Sequence, residues 1–481
     1  MRVAVVGCAH GMLDDIFATV QFINEMEPNR TIELLLCCGD FECMRNSRDL
    51  ETLACPPKYR AMHAFHQYYS GAKVAPVLTV FVGGNHEASN YLHDLHYGGW
   101  VAPNMFYLGA AGCINVGGLR IAGLSGIYKH QDYTAGRYER EPFDNSTMRS
   151  IYHVREIEVF QLGHLQQQDK RRVSIFLSHD WPRGIEQYGD LQSLLRRKPF
   201  FQEEIQANAL GSPAGEYLLH VLRPAHWFAA HLHVKFAAIV RHQAAEANSE
   251  SNEPQRPDAE VHATSEQEQL MTKFLALDKC LPRREFLQVI DIPTSMDASV
   301  ASSEQGEPTA TTDASAARDP PKVMFDFEWL AVLRATHHLV SSERYAPRVP
   351  QEDMPIEEND LLWLRSRMEE YMAEKGITDK VVGEWLTDFV KTVPAYGEEN
   401  EWTAPPVIGN PQTDMLLELL KLPHIVTTPF SGRNVSASVE DPNAIDLDDD
   451  EEEQEDEDSG AQQDTPMEAV ATDPNEIDLD E

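Results

Sequence analysis

Residues 3–11 read VAVVGCAHG. Val3, Ala4, Val5 and Val6 form the short apolar run expected of a strand buried on both faces. Cys8 and His10, set between Gly7 and Gly11, suit the turn at the end of such a strand better than its interior. Packing alone can put a histidine there, and a single one is more often a core or capping group than a ligand. Its meaning depends on what the other strands deliver.

Further apolar, β-rich runs follow at Ile32–Cys37, Val77–Val82, Leu119–Leu124, Val173–Leu177, Trp227–Ala230, Phe236–Val240, Phe274–Leu277 and Leu287–Ile292. The runs from Arg2–Val6 through Phe236–Val240 are apolar almost throughout, as strands covered on both sides should be. Helix-compatible stretches separate them. Leu13–Met26 carries Ile16, Val20 and Ile23 at helical spacing, with Asp14 and Asp15 in its first turn. The alternation predicts an α/β fold. The residues after the strands form a series: Cys8-Ala9-His10, Gly39-Asp40, Gly84-Asn85-His86-Glu87, Ser178-His179-Asp180 and His231-Leu232-His233. Ligands collect at the carboxyl ends of strands in α/β sheets. Five such ends carrying His, Asp, Asn or Cys outweigh the packing explanation that suffices for any one.

These residue types suit a pair of divalent cations. Two metals about 3.5–4 Å apart need a bridging carboxylate and further ligands, with open positions for water and a phosphoryl oxygen. Asp40 is the natural bridge. His10 and His233 would serve one cation, and Asn85, His179 and His231 the other. Alternate residues of an extended chain point to opposite sides, so His231 and His233 require a turn at Leu232. Cys8 either adds a soft sulfur, favouring Zn or Fe over Mg or Ca, or stays protonated and only packs. Both readings stand at this stage. Cys37, Cys38, Cys43 and Cys55 show no metal spacing and read as structural.

The set resembles the calcineurin-like metallophosphoesterases, whose motifs run D-x-H, G-D, G-N-H-[DE], H and H-x-H. Here C-x-H replaces D-x-H. That departure, with SHDWP (178–182), LLRRKPFF (194–201), LGSPAGEYLLHVLRP (210–224), HWFAAHLHVKFAA (226–238), DFEWLAVLRATHHLV (326–340) and EIDLD (476–480), is similar to the lariat debranching enzyme family. The resemblance implies a four-layer α/β sandwich, two mixed β-sheets flanked by helices, followed by a smaller C-terminal domain. It implies two divalent metal ions (Fe2+, Zn2+ or Mn2+) at Cys8, His10, Asp40, Asn85, His179, His231 and His233, with His86 catalytic and not a ligand. It implies branched (lariat) intron RNA as substrate and hydrolysis of its 2′-5′ phosphodiester bond, with the nucleus as location and the cytoplasm as a second one. Ejecting an alkoxide calls for a proton donor, and an imidazolium near neutral pH can supply it. The motifs alone specify only phosphoester hydrolysis, so a protein phosphatase or cyclic phosphodiesterase is the alternative. A scaffold with a decayed site conflicts with the full ligand set.

Tyr128–Arg155 interleaves Tyr128, Tyr133, Tyr138 and Tyr152 with Lys129, Arg137, Arg140, Arg149 and Arg155. Aromatics stack on splayed bases and cations meet phosphates, the usual grip on single-stranded RNA; an amphipathic surface segment has the same composition. The resemblance favours RNA. Arg196-Arg197-Lys198 is the one dense basic run, suited to a phosphate contact or to a solvated turn before Pro199.

The net charge of −38 speaks against nucleic acid only until it is located. Residues 1–242 carry 24 acidic and 23 basic side chains, whereas 431–481 carry 20 acidic and one basic. Half the excess therefore sits in the tail. The expected organisation is a catalytic domain over 1–293 with a disordered insertion at 243–270, a linker at 294–322, a helical C-terminal domain over 323–430 and an acidic disordered tail over 431–481. Helices are expected at Asp326–Val340, Glu357–Lys375 and Ile377–Thr392. The tail repeats DPNAIDLDDD (441–450) as DPNEIDLDE (473–481), a solvated segment or a docking peptide for an unidentified protein. No apolar run approaches the roughly 20 residues that span a bilayer, and the start lacks a secretory pattern, so neither membrane nor export is expected. Seven cysteines in such a chain argue against a disulfide framework.

Overall fold

The computed structural model describes residues 1–165, 172–242, 271–294, 320–350, 354–398 and 409–430. The insertion at 243–270, most of the linker and the acidic tail with its repeat lie outside them. In chain order the strands are β1 (Arg2–Val6), β2 (Leu34–Cys37), β3 (Leu78–Phe81), β4 (Gly99–Ala102), β5 (Met105–Tyr107), β6 (Ala111–Val116), β7 (Leu119–Leu124), β8 (Ile175–Ser178), β9 (His226–Ala229), β10 (Phe236–Arg241), β11 (Met271–Ala276), β12 (Leu287–Asp291) and β13 (Val323–Phe325). They form two mixed sheets, β12-β1-β2-β3-β5-β4 and β10-β11-β9-β8-β7-β6-β13.

The apolar runs take the central positions. β1, β2 and β3 are parallel and buried throughout, as are β7 and β8 in the second sheet. The helix Leu13–Met26 lays Leu13, Ile16, Phe17 and Val20 on the first sheet. Burying one such side chain contributes about 1.5–3 kcal/mol. β10 departs from the expected pattern: it alternates buried and exposed residues, because it is an edge strand with one face in solvent. β4, β5, β6 and β13 have no distinct signal in the sequence. The β4–β5 hairpin turns through Asn104 at φ 66°, and its short strands are stabilised by neighbours and not by local propensity.

The region after residue 320 is less separate than its composition suggests. β13 pairs antiparallel with β6 and closes one edge of the second sheet. Asp326 N-caps the helix Phe327–Thr336 through the Trp329 N–H and also receives Arg120 of β7 in a two-pronged ion pair at 2.8 and 2.9 Å. At the free edge of the first sheet, the Gln412 side chain exchanges two hydrogen bonds of 2.8 Å with the Trp100 backbone of β4, standing in for a neighbouring strand. The described residues before and after the 294–322 segment fall in one compact unit. The helix Glu358–Lys375 is present, but no helix forms over 377–392. Gly376 stops the preceding helix at φ 67°, and the chain beyond it runs along β13, with bonds from Phe325 N–H to Gly383 and from Trp385 N–H to Val323. The helix Pro411–Leu420, absent from the sequence reading, is started by the Asn410 side chain.

Candidate metal centre

The carboxyl ends of β1, β2 and β3 in one sheet and of β8 and β9 in the other face a common point. The chain leaves three of these strands through left-handed residues: His10 and Asp40 at φ 44°, His231 at 61° and His233 at 44°. Such conformations cost of order 1–3 kcal/mol each and persist only where the surroundings hold them. Between His231 and His233, Leu232 N–H closes a tight turn onto the Ala230 carbonyl at 2.7 Å. This is the turn that the H-x-H spacing requires.

Asp40 lies at the middle. Its Oδ2 is 3.6 Å from His10 Nε2 and its Oδ1 is 3.4 Å from His179 Nε2, while Oδ1 also accepts the His86 backbone N–H at 2.9 Å. On one side, ligand atoms of Cys8, His10, Asp40 and His233 lie within 4.8 Å of one another. On the other, His179 Nε2 is 3.1 Å from Asn85 Oδ1, and the His179 and His231 ring centroids are 4.9 Å apart. Gly84 makes the approach of these loops possible. A Cβ on Gly84 would stand 2.1 Å from Asp40 Oδ1 and 2.8 Å from His179 Cε1.

The arrangement fits cations because lone pairs converge without protons to separate them. His179 Nδ1 donates to the Cys38 carbonyl at 2.9 Å, which leaves Nε2 as an acceptor facing Asn85 Oδ1 and Asp40 Oδ1. His10 Nδ1 lies 3.3 Å from Glu42 Oε1, so its proton belongs there, and its Nε2 faces Asp40 and, at 3.3 Å, His233 Nε2. His233 Nδ1 is buried without a hydrogen-bond partner. Burial pushes the His231 imidazole down to about 3, aided by His179, and burial with the nearby His10 lowers His233 further. Burial opposes ionisation of Asp40, yet the imidazoles of His179, His10 and His86 outweigh it and hold the carboxyl below its usual range. Burial, followed by the Asp40 charge, raises the Cys8 thiol well above its ordinary value, so without a cation it stays protonated. Cys8 Sγ accepts the His231 backbone N–H at 3.3 Å and points into the cluster. A bound cation would reverse this preference and deprotonate a coordinating thiol.

His86 stands beside the centre with its ring centroid 5.5 Å from that of His10 and its side chain partly exposed. Three supporting groups escaped the sequence reading of roles. Glu87, visible in GNHE, accepts Phe41 and Gly84 N–H on Oε1 and Glu42 N–H on Oε2, joining the β2 and β3 loops. Burial raises its pKa to about 8, despite these bonds. Glu42 lies between His10 and His63, whose Nε2 is 3.6 Å away. Its position two residues after Asp40 was the only local signal, and His63 had none.

The Tyr128–Arg155 segment adjoins the centre through the Tyr128 N–H, which donates to Asp180 beside His179. Tyr128 and Tyr133 lie with ring centroids 5.2 Å apart, both half-buried, as are Tyr138 and Tyr152. Arg140 and Arg149 reach the surface. Lys129 is buried near His231. Arg137 does not match the expected role of a presented cation. Its guanidinium is buried, donating to Glu158 at 2.9 Å and to the Ile151 carbonyl at 2.7 Å, because a charge removed from water needs these partners. Arg155, fully buried against Glu139, is likewise part of the segment's frame.

Comparison with known proteins gives the same direction. The calcineurin-like phosphoesterase family matches residues 1–235, and the family described as the lariat debranching enzyme C-terminal domain matches 269–425. The chain is 41% identical over 435 residues to a lariat debranching enzyme of Arabidopsis thaliana, covering 90% of this chain and 89% of that protein. It is 45% identical over 415 residues to the Mus musculus lariat debranching enzyme, covering 86% of this chain and 67% of the relative. With the Homo sapiens protein of that name the identity is 49% over 341 residues, 71% of this chain but 55% of the relative. With both halves matched and a relative aligned nearly end to end, the chain belongs to the lariat debranching enzyme family of metal-dependent, calcineurin-like phosphoesterase hydrolases.

Proposed function

We propose that the chain hydrolyses the 2′-5′ phosphodiester bond at the branchpoint of excised intron lariats in the nucleus, with His86 as the general acid. The observation that carries this reading is the convergence of acceptor atoms around Asp40 with one partly exposed imidazole, outside either ligand set, beside them. Divalent cations, held by Cys8, His10, Asp40 and His233 on one side and by Asp40, Asn85, His179 and His231 on the other, would polarise the phosphoryl oxygens and make water more acidic. The sulfur of Cys8 favours Zn or Fe(II) over harder ions at the first position.

The protein's own groups organise the rest. Asp40 offers one oxygen to each side, and Glu87 ties together the loops that carry Asp40 and Asn85. Water oxygen attacks phosphorus and gives up a proton to solvent, the bond from phosphorus to the branchpoint 2′-oxygen breaks, and His86 delivers its proton to that oxygen and is reprotonated from solvent. The products are a 2′-hydroxyl and a 5′-phosphate on the other fragment. Tyr128, Tyr133, Tyr138 and Tyr152 offer faces to unstacked bases, and Arg140 and Arg149 offer cations to phosphates. The test is a parallel incubation of the metal-loaded protein with a branched RNA, a linear 3′,5′ RNA and a phosphoprotein. Cleavage confined to the branch is expected. Preferential release of phosphate from the phosphoprotein would overturn the reading.

A further inference from the structure

We propose that a basic ridge next to the metal centre binds the phosphate backbone of one RNA strand leaving the branchpoint. The ridge combines Arg196, Arg197 and Lys198, at the end of the helix Leu191–Arg197, with Lys279, Arg283 and Arg284 in the turn joining β11 to β12. This deepens the proposed function and rests on it.

The two groups are far apart in sequence but adjacent in the fold. Lys198 lies within electrostatic reach of Lys279, Arg284 and Asp278. Arg197 and Lys235 approach the same carboxylate, Glu285 of the turn, at 4.0 and 3.1 Å. The turn is fastened to the centre: Cys280 N–H, next to Lys279, donates to the Cys8 carbonyl at 3.0 Å. The ridge therefore begins where the Cys8, His10 and His233 side of the centre ends. The Tyr128 segment, in contrast, is attached beside His179 on the other side.

The charge there is not internally balanced. Against these six cations and Lys235, the ridge holds Asp278, paired with Arg284 at 3.3 Å, and Glu285. Arg196, Lys198, Lys279 and Arg283 make no ion pair among the described residues. Gathering like charges disfavours the folded state slightly, and a polyanion would offset that repulsion. Phe200 adds a second feature of single-strand sites. It is 55% exposed, braced by the edge of Phe201, with Lys198 Nζ 5.5 Å from its ring centre; bases stack on exposed aromatic faces of this kind. A branchpoint joins three strands, so the centre needs more exits than one aromatic segment provides.

The test uses the metal-loaded full chain and two branched RNAs, one with single-nucleotide arms and one with extended arms. The variant R196Q/K198Q/R283Q removes three cations without breaking an ion pair, and its thermal melting is compared with wild type. On the extended substrate KM should rise about tenfold, and the slope of log affinity against log salt should fall by about 2, as three lost contacts to a single strand predict. kcat on both substrates, and KM on the short-armed one, should not change. Equal KM effects on both substrates, or none on either, would overturn the ridge. Failure of the functional reading would appear separately, as a wild-type protein that does not distinguish the short branch from linear RNA.

Discussion

Gly84→Ala tests whether the centre depends on close approach of backbone loops, because the substitution adds one carbon and removes no ligand. The added Cβ would lie 2.1 Å from Asp40 Oδ1, 2.6 Å from the Asp40 backbone nitrogen and 2.8 Å from His179 Cε1. Real contacts of this kind need roughly 3.3 Å, so Asp40 or the β3 loop must move by about 1 Å. Neither can yield independently. Asp40 is held by the His86 N–H, His179 by the Cys38 carbonyl, and the Gly84 N–H by Glu87. A displacement of about 1 Å exceeds the roughly 0.5 Å tolerance of a working constellation and commonly costs about a hundredfold in rate. Because Asp40 lies between His10 and His179, a shift there disturbs both groups of acceptor atoms, and affinity for divalent metal should fall. The assay is metal stoichiometry after dialysis against a weak chelator, with turnover of a branched RNA and a melting curve on the same preparation. A folded variant that retains wild-type metal content and turns over at the wild-type rate would refute the reasoning.

His86→Ala should lower kcat by about 10²–10⁴ and leave metal content unchanged, because alanine keeps the backbone N–H that Asp40 accepts; a parallel loss of metal would make His86 a ligand-supporting residue instead. Cys8→Asp should move the metal ranking toward Mn by supplying a hard oxygen, with Cys8→Ser as control, read after stripping and separate restoration of Zn, Fe(II) and Mn under anaerobic reducing conditions. If both variants keep the wild-type ranking, Cys8 does not select the metal. Glu42→Ala should weaken metal affinity about 10–100-fold by releasing His10 Nδ1, with Glu42→Gln retaining most of it; chelator competition on the alanine variant giving the wild-type constant would remove Glu42 from the site. Glu139→Gln should destabilise the fold by up to about 3 kcal/mol, since it removes the carboxylate paired directly with the Arg155 guanidinium, 0% exposed, and leaves it the charges of Glu158 and Asp132. An unchanged denaturation midpoint would show that the pair contributes little.

The core strands and the polar residues at their carboxyl ends were legible because both depend on local sequence. Val3–Val6, Leu34–Cys37 and Leu78–Phe81 announce buried parallel strands by being apolar without interruption, and whatever follows them must lie at a sheet's carboxyl edge. That is why Cys8, His10, Asp40, Asn85, His179, His231 and His233 could be grouped without coordinates. Even the turn between His231 and His233 followed from the alternation of an extended chain. The sequence could not show how the groups are oriented or what their charges face. Arg137 and Arg140 read alike in YKHQDYTAGRYER, yet one is buried against Glu158 and the other is exposed, a difference set by a partner 21 residues away. Glu42 and His63 support His10 through a contact between separate loops, and the basic ridge joins a helix end to a turn some eighty residues later. The short strands β4, β5, β6 and β13 exist because neighbours complete their hydrogen bonds, and 377–392 is extended, not helical, because β13 offers it an edge. Local propensity and hydrophobic period determined the elements and the ends that carry the chemistry. Long-range pairing decided which charges are spent in the frame and which remain exposed at the surface, because an ion pair depends on distance in space and not on separation along the chain.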